Sequence, residues 1–301
     1  MIKNHPPALL AAFSANLIYG LNYVVAKGIM PDYLQPGSII FLRVIGAALV
    51  FNLFFYLTKS SEKVEKRHLL RIAIAAFFGI ALNQMLFFEG LNLTSPINAS
   101  IIMVGVPIIV IVLSSFVLHE PLTRIKIIGV ILGFSGAAYL ILNQGVVRFS
   151  SNTFAGNLLI FGNATSYSLY LIMIKPLFLH YKPLTIVRWL FFFGAMYIIP
   201  YTFQLVMTEE WSMIPLNIWL SIGYVIVFTT ILAYFLNNYS LSRISPTANS
   251  AFIYTQPFFA TLVALSLNQD KLRFMHLISA LLIFAGVYLV SRTPGFVMKK
   301  I

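Results

Sequence analysis

Ten stretches of apolar residues, each about twenty long, follow one another along this chain, and that succession leaves little room for a water-soluble fold. They cover residues 8–30, 35–57, 70–93, 96–118, 125–143, 155–178, 184–207, 216–240, 246–268 and 273–291, bounded by charged residues, proline or Gly/Asn clusters. A helix that crosses the bilayer needs about 20 apolar residues, so each stretch is long enough to do so. Composition agrees: 59% of the 301 residues are hydrophobic and only 9% are charged, against roughly 25% charged in soluble domains. The third stretch is the least regular, because Arg71 opens it and Asn83, Gln84 and Glu89 lie inside it. The expected fold class is an all-α polytopic membrane protein of ten transmembrane helices, with no sizeable extramembrane domain. The absence of cysteine excludes disulfides, thiol nucleophiles and cysteine-ligated metal centres.

The net charge of +12 is a topological signal rather than a nucleic-acid footprint, because the basic residues are spread over many loops. With the N-terminus inside, the inner side receives Lys3, the cluster Lys59, Lys63, Lys66, Arg67 and Arg71, then Arg124 and Lys126, then Lys175, Lys182 and Arg188, and finally Arg243, Arg292, Lys299 and Lys300. The outer side receives only Lys27, Arg148, Lys271 and Arg273, while Arg43 lies within the second stretch. This bias predicts that both termini are cytoplasmic, with the basic loops against anionic lipid headgroups. The first stretch is longer than the 7–15-residue apolar core of a cleaved signal peptide, so it is read as a retained helix.

The second half of the chain echoes the first. At an offset of 150 residues Ser95–Pro96 recurs as Ser245–Pro246, Ser100 as Ser250, Pro107 as Pro257, Glu120 as Asp270 and Gly136 as Gly286. Tyr19 and Lys27 match Tyr167 and Lys175 at 148, and Pro36 matches Pro183 at 147. General apolar composition explains Leu-on-Ile matches, but not serines, prolines and an acid in one register. The predicted units are residues 1–145 and 146–301. Each holds five spans, an odd number, so the second must enter the bilayer from the opposite side, as two inverted five-helix repeats. Inverted repeats are the architecture of many secondary transporters.

The stretch 86–142 resembles the EamA family of the drug/metabolite transporter superfamily. The likeness rests on Thr94–Ser95–Pro96, on Pro107, on the turn His119-Glu120-Pro121-Leu122-Thr123, and on Gly129, Gly133 and Gly136. The second half repeats the pattern more loosely, with Asp270 where the family commonly has Glu and with Ser279 and Ile283 replacing two glycines. The resemblance implies carriage of small metabolites, often export of amino acids or related compounds, across the bacterial inner membrane.

Polar residues deep in a span are costly unless they face protein or water. Asn16, Tyr19 and Asn22 share a stripe on the first span, and Asn163, Tyr167 and Tyr170 do so on the sixth. The third adds Asn83 and Gln84, the fourth Asn98 and Ser100, the eighth Tyr234, Asn237 and Asn238, and the ninth Asn249, Ser250, Tyr254 and Gln256. Each alone reads as an interhelical hydrogen bond; together they predict a cavity lined by amides and phenols, suited to a zwitterionic or polar–aromatic solute. Glu89 is either a proton or ammonium site or a structural partner for a neighbouring helix. Arg43 is either its ion-pair partner, a carboxylate anchor or a helix–helix anchor, and Glu120 is expected to organise its turn with Arg124. Pro107 and Pro257 lack an amide hydrogen and leave the carbonyls of Met103 and Ile253 without helical partners, at roughly 3 kcal/mol, which predicts paired kinks that gate the cavity. Glycines 129, 133 and 136 predict a close-packing seam, within the fold or between protomers.

The histidines form no ligand pair, and HExxH, P-loop and GxSxG patterns are absent, so no enzyme, cofactor or metal is expected. Without an ATP site, transport would be secondary: down the solute's own gradient, or coupled to protons or a counter-solute. The expected function is therefore a secondary-active exporter of small metabolites working by alternating access. A flippase for a lipid-linked headgroup, an intramembrane enzyme acting on such lipids, and a passive channel stand as alternatives.

Overall fold

The computed structural model describes residues 5–58, 62–142, 151–266 and 274–292. Its described residues are helical with short connections and contain no strand. In chain order the helical stretches are α1 (Pro6–Ile29), α2 (Pro36–Leu57), α3 (Lys66–Leu93), α4 (Pro96–Val117) and α5 (Arg124–Leu142). They continue with α6 (Ser151–Ile174, extended by a 3-10 turn over Lys175–Leu179), α7 (Pro183–Met207), α8 (Leu216–Arg243), α9 (246–266) and α10 (Phe274–Arg292). Eight of these are long and apolar enough to cross a membrane; α5 and α9 are the two outside that set. The chain is a multi-pass membrane protein.

The helix starts follow local chemistry. Proline opens α1, α2, α4, α7 and α9, where its missing N–H would have had no intrahelical partner. Ser95 and Ser245 are true N-caps: their hydroxyls accept from the backbone N–H of Asn98 and Ala248 at 3.1 and 3.2 Å. The charged start of α3 is tied down as well, since Arg71 Nε donates to the Met173 carbonyl at 3.0 Å.

Helices α3 and α8 are not regular. Each carries a π-helical turn, over Phe77–Leu82 and Val225–Leu232, just before the polar residues Asn83–Gln84 and Tyr234. Helices α4 and α9 are broken instead of bent. α4 stops at Met103 and restarts at Val106, and α9 passes through a 3-10 turn at Phe252–Thr255 before restarting at Gln256. Pro107 and Pro257 therefore stand in the first turn of a new helix, where proline is tolerated. The orphaned carbonyl expected at Ile253 is satisfied, because Gln256 N–H bonds to it within the 3-10 turn.

The helices pack in matched sets. α5 lies against α10, α2 against α7 and α4 against α9; α3 pairs with α6 as α8 does with α1, α4 with α6 as α9 does with α1, and α3 with α7 as α8 does with α2. Exchanging each helix for the one five places away leaves this set of pairs unchanged. Lys27 and Lys175, matched in sequence, do the same work: Lys27 Nζ donates to the carbonyls of Leu91 and Asn92 at 3.0 and 2.7 Å, and Lys175 Nζ to those of Leu241 and Ile244 at 2.7 and 2.8 Å. Each ammonium thus satisfies carbonyls at the C-terminal end of α3 or α8, which lack helical partners.

The glycine seam lies within the fold. A Cβ at Gly286 would sit 2.6 Å from Gly129 O and 2.5 Å from Gly133 N, and one at Gly136 would sit 3.0 Å from Ser279 O. The backbones of α5 and α10 thus touch directly, which only small residues allow. Glu120 also differs from expectation. Its partner is Lys126, at 2.8 Å and with both side chains buried, while Arg124 is exposed. Its other oxygen accepts from Thr247 Oγ1 at 3.0 Å, which joins the α4–α5 turn to α9. Asp270, its match in the second half, lies outside the described residues.

Candidate functional site

The π turns set the site. By changing the winding of α3 and α8 they release backbone carbonyls that must find new donors. Asn163 Nδ2 on α6 donates to the Asn83 carbonyl at 2.8 Å, and Ser166 Oγ donates to that of Phe78 at 2.6 Å. Tyr234 OH on α8 donates to the Gly79 carbonyl at 3.2 Å while accepting from Gln84 Nε2 at 2.9 Å. Polar side chains consequently converge mid-helix, where an all-apolar core would otherwise close.

The result is a partly open cavity of about 80 Å3. Its polar wall comes from Tyr19, Asn22 and Tyr23 on α1, Asn83 and Gln84 on α3, Asn163 and Tyr167 on α6, Tyr234 on α8 and Gln256 on α9. Phe87, Met103 and Ile253 supply apolar patches, and Arg43 on α2 supplies a positive charge. Both halves of the chain contribute. Several lining groups hold one another in place: Tyr23 OH donates to Gln256 Oε1 at 3.2 Å, and Gln256 Nε2 donates to Asn16 Oδ1 at 2.7 Å. The rings of Tyr19 and Tyr234 meet edge to face at 6.3 Å.

Of the residues expected at the site, Tyr19, Asn22, Asn83, Gln84, Asn163, Tyr167, Tyr234 and Gln256 line the cavity. Asn16 stands one step behind Gln256. The others lie elsewhere, each with a structural task. Tyr170 OH donates to Asn238 Oδ1 at 2.7 Å, and Asn238 Nδ2 donates to the Tyr234 carbonyl at 2.8 Å; this pair backs the wall. Asn98 donates through Nδ2 to Thr94 Oγ1 at 3.3 Å at the start of α4. Asn249 Nδ2 donates to the Asn237 carbonyl at 3.4 Å, and Tyr254 packs its ring against Gly133. Glu89 is half-buried, accepts from Tyr201 OH at 2.9 Å, and does not line the cavity.

Arg43 adds a charge to the amides and phenols of the lining. It is 3% exposed, donates from Nε to Thr230 Oγ1 at 2.8 Å and lies 4.7 Å over the Phe88 ring. It does not pair with Glu89. Sequence reading also passed over Tyr23, Phe87, Met103 and Ile253. Apolar residues in an apolar helix give no signal of facing a cavity, and Tyr23 is a neighbour of Asn22 that a stripe drawn at three-residue spacing skips.

A helical, multi-pass membrane protein with a polar chamber between its helices has the form of a carrier. The chain matches the EamA-like transporter family over residues 6–142 and again over 154–292, and it belongs to that family. Among its relatives is an uncharacterized transporter, YyaM, of Bacillus subtilis, 24% identical over 298 residues, covering 97% of this chain and 96% of that one. Another is a probable terminal-alkyne amino-acid exporter of Streptantibioticus cattleyicolor, 23% identical over 231 residues, covering 77% of this chain and 76% of the relative. A protein crystal structure 17% identical in sequence shares the fold with a TM-score of 0.75, over 94% of this chain and 95% of that one.

Proposed function

We propose that this transporter moves small polar metabolites, amino acids or related compounds, outward across the bacterial inner membrane by secondary-active alternating access. The observation that carries the reading is the polar cavity, sited mid-helix and walled from both halves of the chain. In this reading α5 and α9 also cross the bilayer, making ten transmembrane helices in two inverted five-helix repeats, 1–145 and 146–301, with both termini cytoplasmic. Support comes from the exchange-invariant helix pairs, the matched π turns, the matched breaks in α4 and α9, and the twin roles of Lys27 and Lys175. The breaks at Pro107 and Pro257 serve as gating joints, where two short half-helices tilt more easily than one continuous rod. The relative named as a probable amino-acid exporter supports the substrate class and the outward direction. Protons or a counter-solute drive the cycle, and membrane lipids are the remaining partners.

Counterflow in proteoliposomes tests this reading. Vesicles preloaded with a mixture of amino acids should take up a trace of external labelled amino acid against its gradient, saturably. A carrier with one alternating site shows such exchange; a passive channel equilibrates the label without it. Uptake that neither saturates nor depends on the internal solute would overturn the carrier reading.

A further inference from the structure

Arg43 is a buried cation without a counter-charge. Two ion pairs occur among the described residues, Arg67–Glu65 and Lys126–Glu120, and neither involves it. No Asp or Glu lines the cavity. A buried charge is costly unless paired, and here a threonine hydroxyl and an aromatic face attend it, with no carboxylate. The bond from Nε to Thr230 fixes the plane of the guanidinium and leaves the two Nη atoms for an acceptor. That fork geometry suits a carboxylate, which it grips through two parallel hydrogen bonds.

The opposite chemistry lines the same chamber. Asn22 Oδ1 and Asn163 Oδ1 are buried acceptors with no hydrogen-bond partner, and both residues line the cavity. Buried polar atoms of this kind are normally satisfied, so they call for a donor from the occupant. Phe87, Tyr19 and Tyr167 add aromatic surface beside them.

Building on the transport reading above, we propose that Arg43 seats a free carboxylate of the solute while Asn22 and Asn163 accept from an N–H group on the same molecule. The substrate class is then an α-amino acid or its N-acylated relative, and not an amine, an ester or a neutral metabolite. The side chain rests against the aromatic wall.

Thermal unfolding of the purified protein provides the test, with L-phenylalanine, L-leucine and L-threonine each set beside its methyl ester, its decarboxylated amine and its N-acetyl form. At least one free acid and its N-acetyl form should stabilise the protein, at concentrations about a hundredfold lower than the ester or the amine require. Arg43→Gln should abolish that discrimination, and Arg43→Lys, which keeps the charge without the fork, should keep part of it. Equal stabilisation by acid and ester, no response to any of the acids, or full discrimination in Arg43→Gln overturns the proposal; the acid–ester comparison needs no variant to fold. If wild-type vesicles exchange solutes regardless of a carboxylate, this inference alone fails. If the protein binds carboxylates through Arg43 but exchanges nothing, the transport reading fails instead.

Discussion

Glu120→Ala is expected to destabilise the protein by roughly 3–5 kcal/mol, because it leaves Lys126 as an uncompensated buried charge. The two side chains are 2% and 1% exposed and meet at 2.8 Å, and Lys126 has one further acceptor, the Pro121 carbonyl at 3.1 Å. Thr247 would lose its acceptor as well. The loss should appear as a lower midpoint of thermal unfolding in detergent. The double variant Glu120→Gln with Lys126→Met removes both charges together, and it should recover most of the stability, since replacing a whole buried pair is often close to neutral. A double variant no more stable than Glu120→Ala would show that the pair's role is not electrostatic. The bond from Glu120 to Thr247 also ties the first half of the chain to the second at one end of the helices. Thr247→Val, which removes that hydroxyl and unties the halves there, should therefore change transport rate more than substrate affinity.

Tyr234→Phe should cut transport sharply with a smaller loss of stability. Its hydroxyl links Gln84 on α3 to the Gly79 carbonyl in the π turn, at 2.9 and 3.2 Å. Removing it leaves both groups unpaired, at about 1–3 kcal/mol each if neither finds water. Because the residue lines the cavity, water can reach them, so the stability cost should fall at the low end. The greater effect is on position: Gln84 is freed to turn, and the chamber loses one of its fixed donors. Counterflow rates in proteoliposomes should drop about tenfold or more, at the 1.4 kcal/mol that each factor of ten represents. Unchanged exchange in a stably folded Tyr234→Phe would mean that this bridge does not shape the transported site.

The helical stretches were legible in the sequence because a bilayer imposes a length and an apolar composition on each crossing. The Ser–Pro starts and the glycine seam were legible for a similar reason: capping and close backbone approach each admit few residue types. The π turns in α3 and α8 were not. Phe77–Leu82 and Val225–Leu232 hold only apolar residues, threonine and one glycine, and nothing in those letters marks a change of winding. That change of winding bears on Asn238, which follows the π turn of α8. Tyr170, on the regular helix α6, and Asn249, near the start of α9, meet Asn238 and the Asn237 carbonyl instead of the cavity because of how the helices pack. The prolines misled differently: Pro107 and Pro257 mark where helices restart, not where one continuous helix kinks. Glu89 and Arg43 stood out as charges in apolar spans, but their partners, Tyr201 and Thr230, lie 112 and 187 residues away. Contacts at that range depend on helix packing, which local pattern does not encode.

In the proposed reading, two five-helix halves cross the membrane in opposite senses around one polar chamber. The chain has no native cysteine, so single cysteines report topology without background. Leu122→Cys, in the exposed turn after α4, and Lys271→Cys, next to Leu272, the match of Leu122 at the 150-residue offset, are to be labelled by a membrane-impermeant maleimide in right-side-out vesicles. Labelling of position 271 from outside, and of position 122 only after the vesicles are opened, is the expected result; labelling of both from the same side would contradict the account.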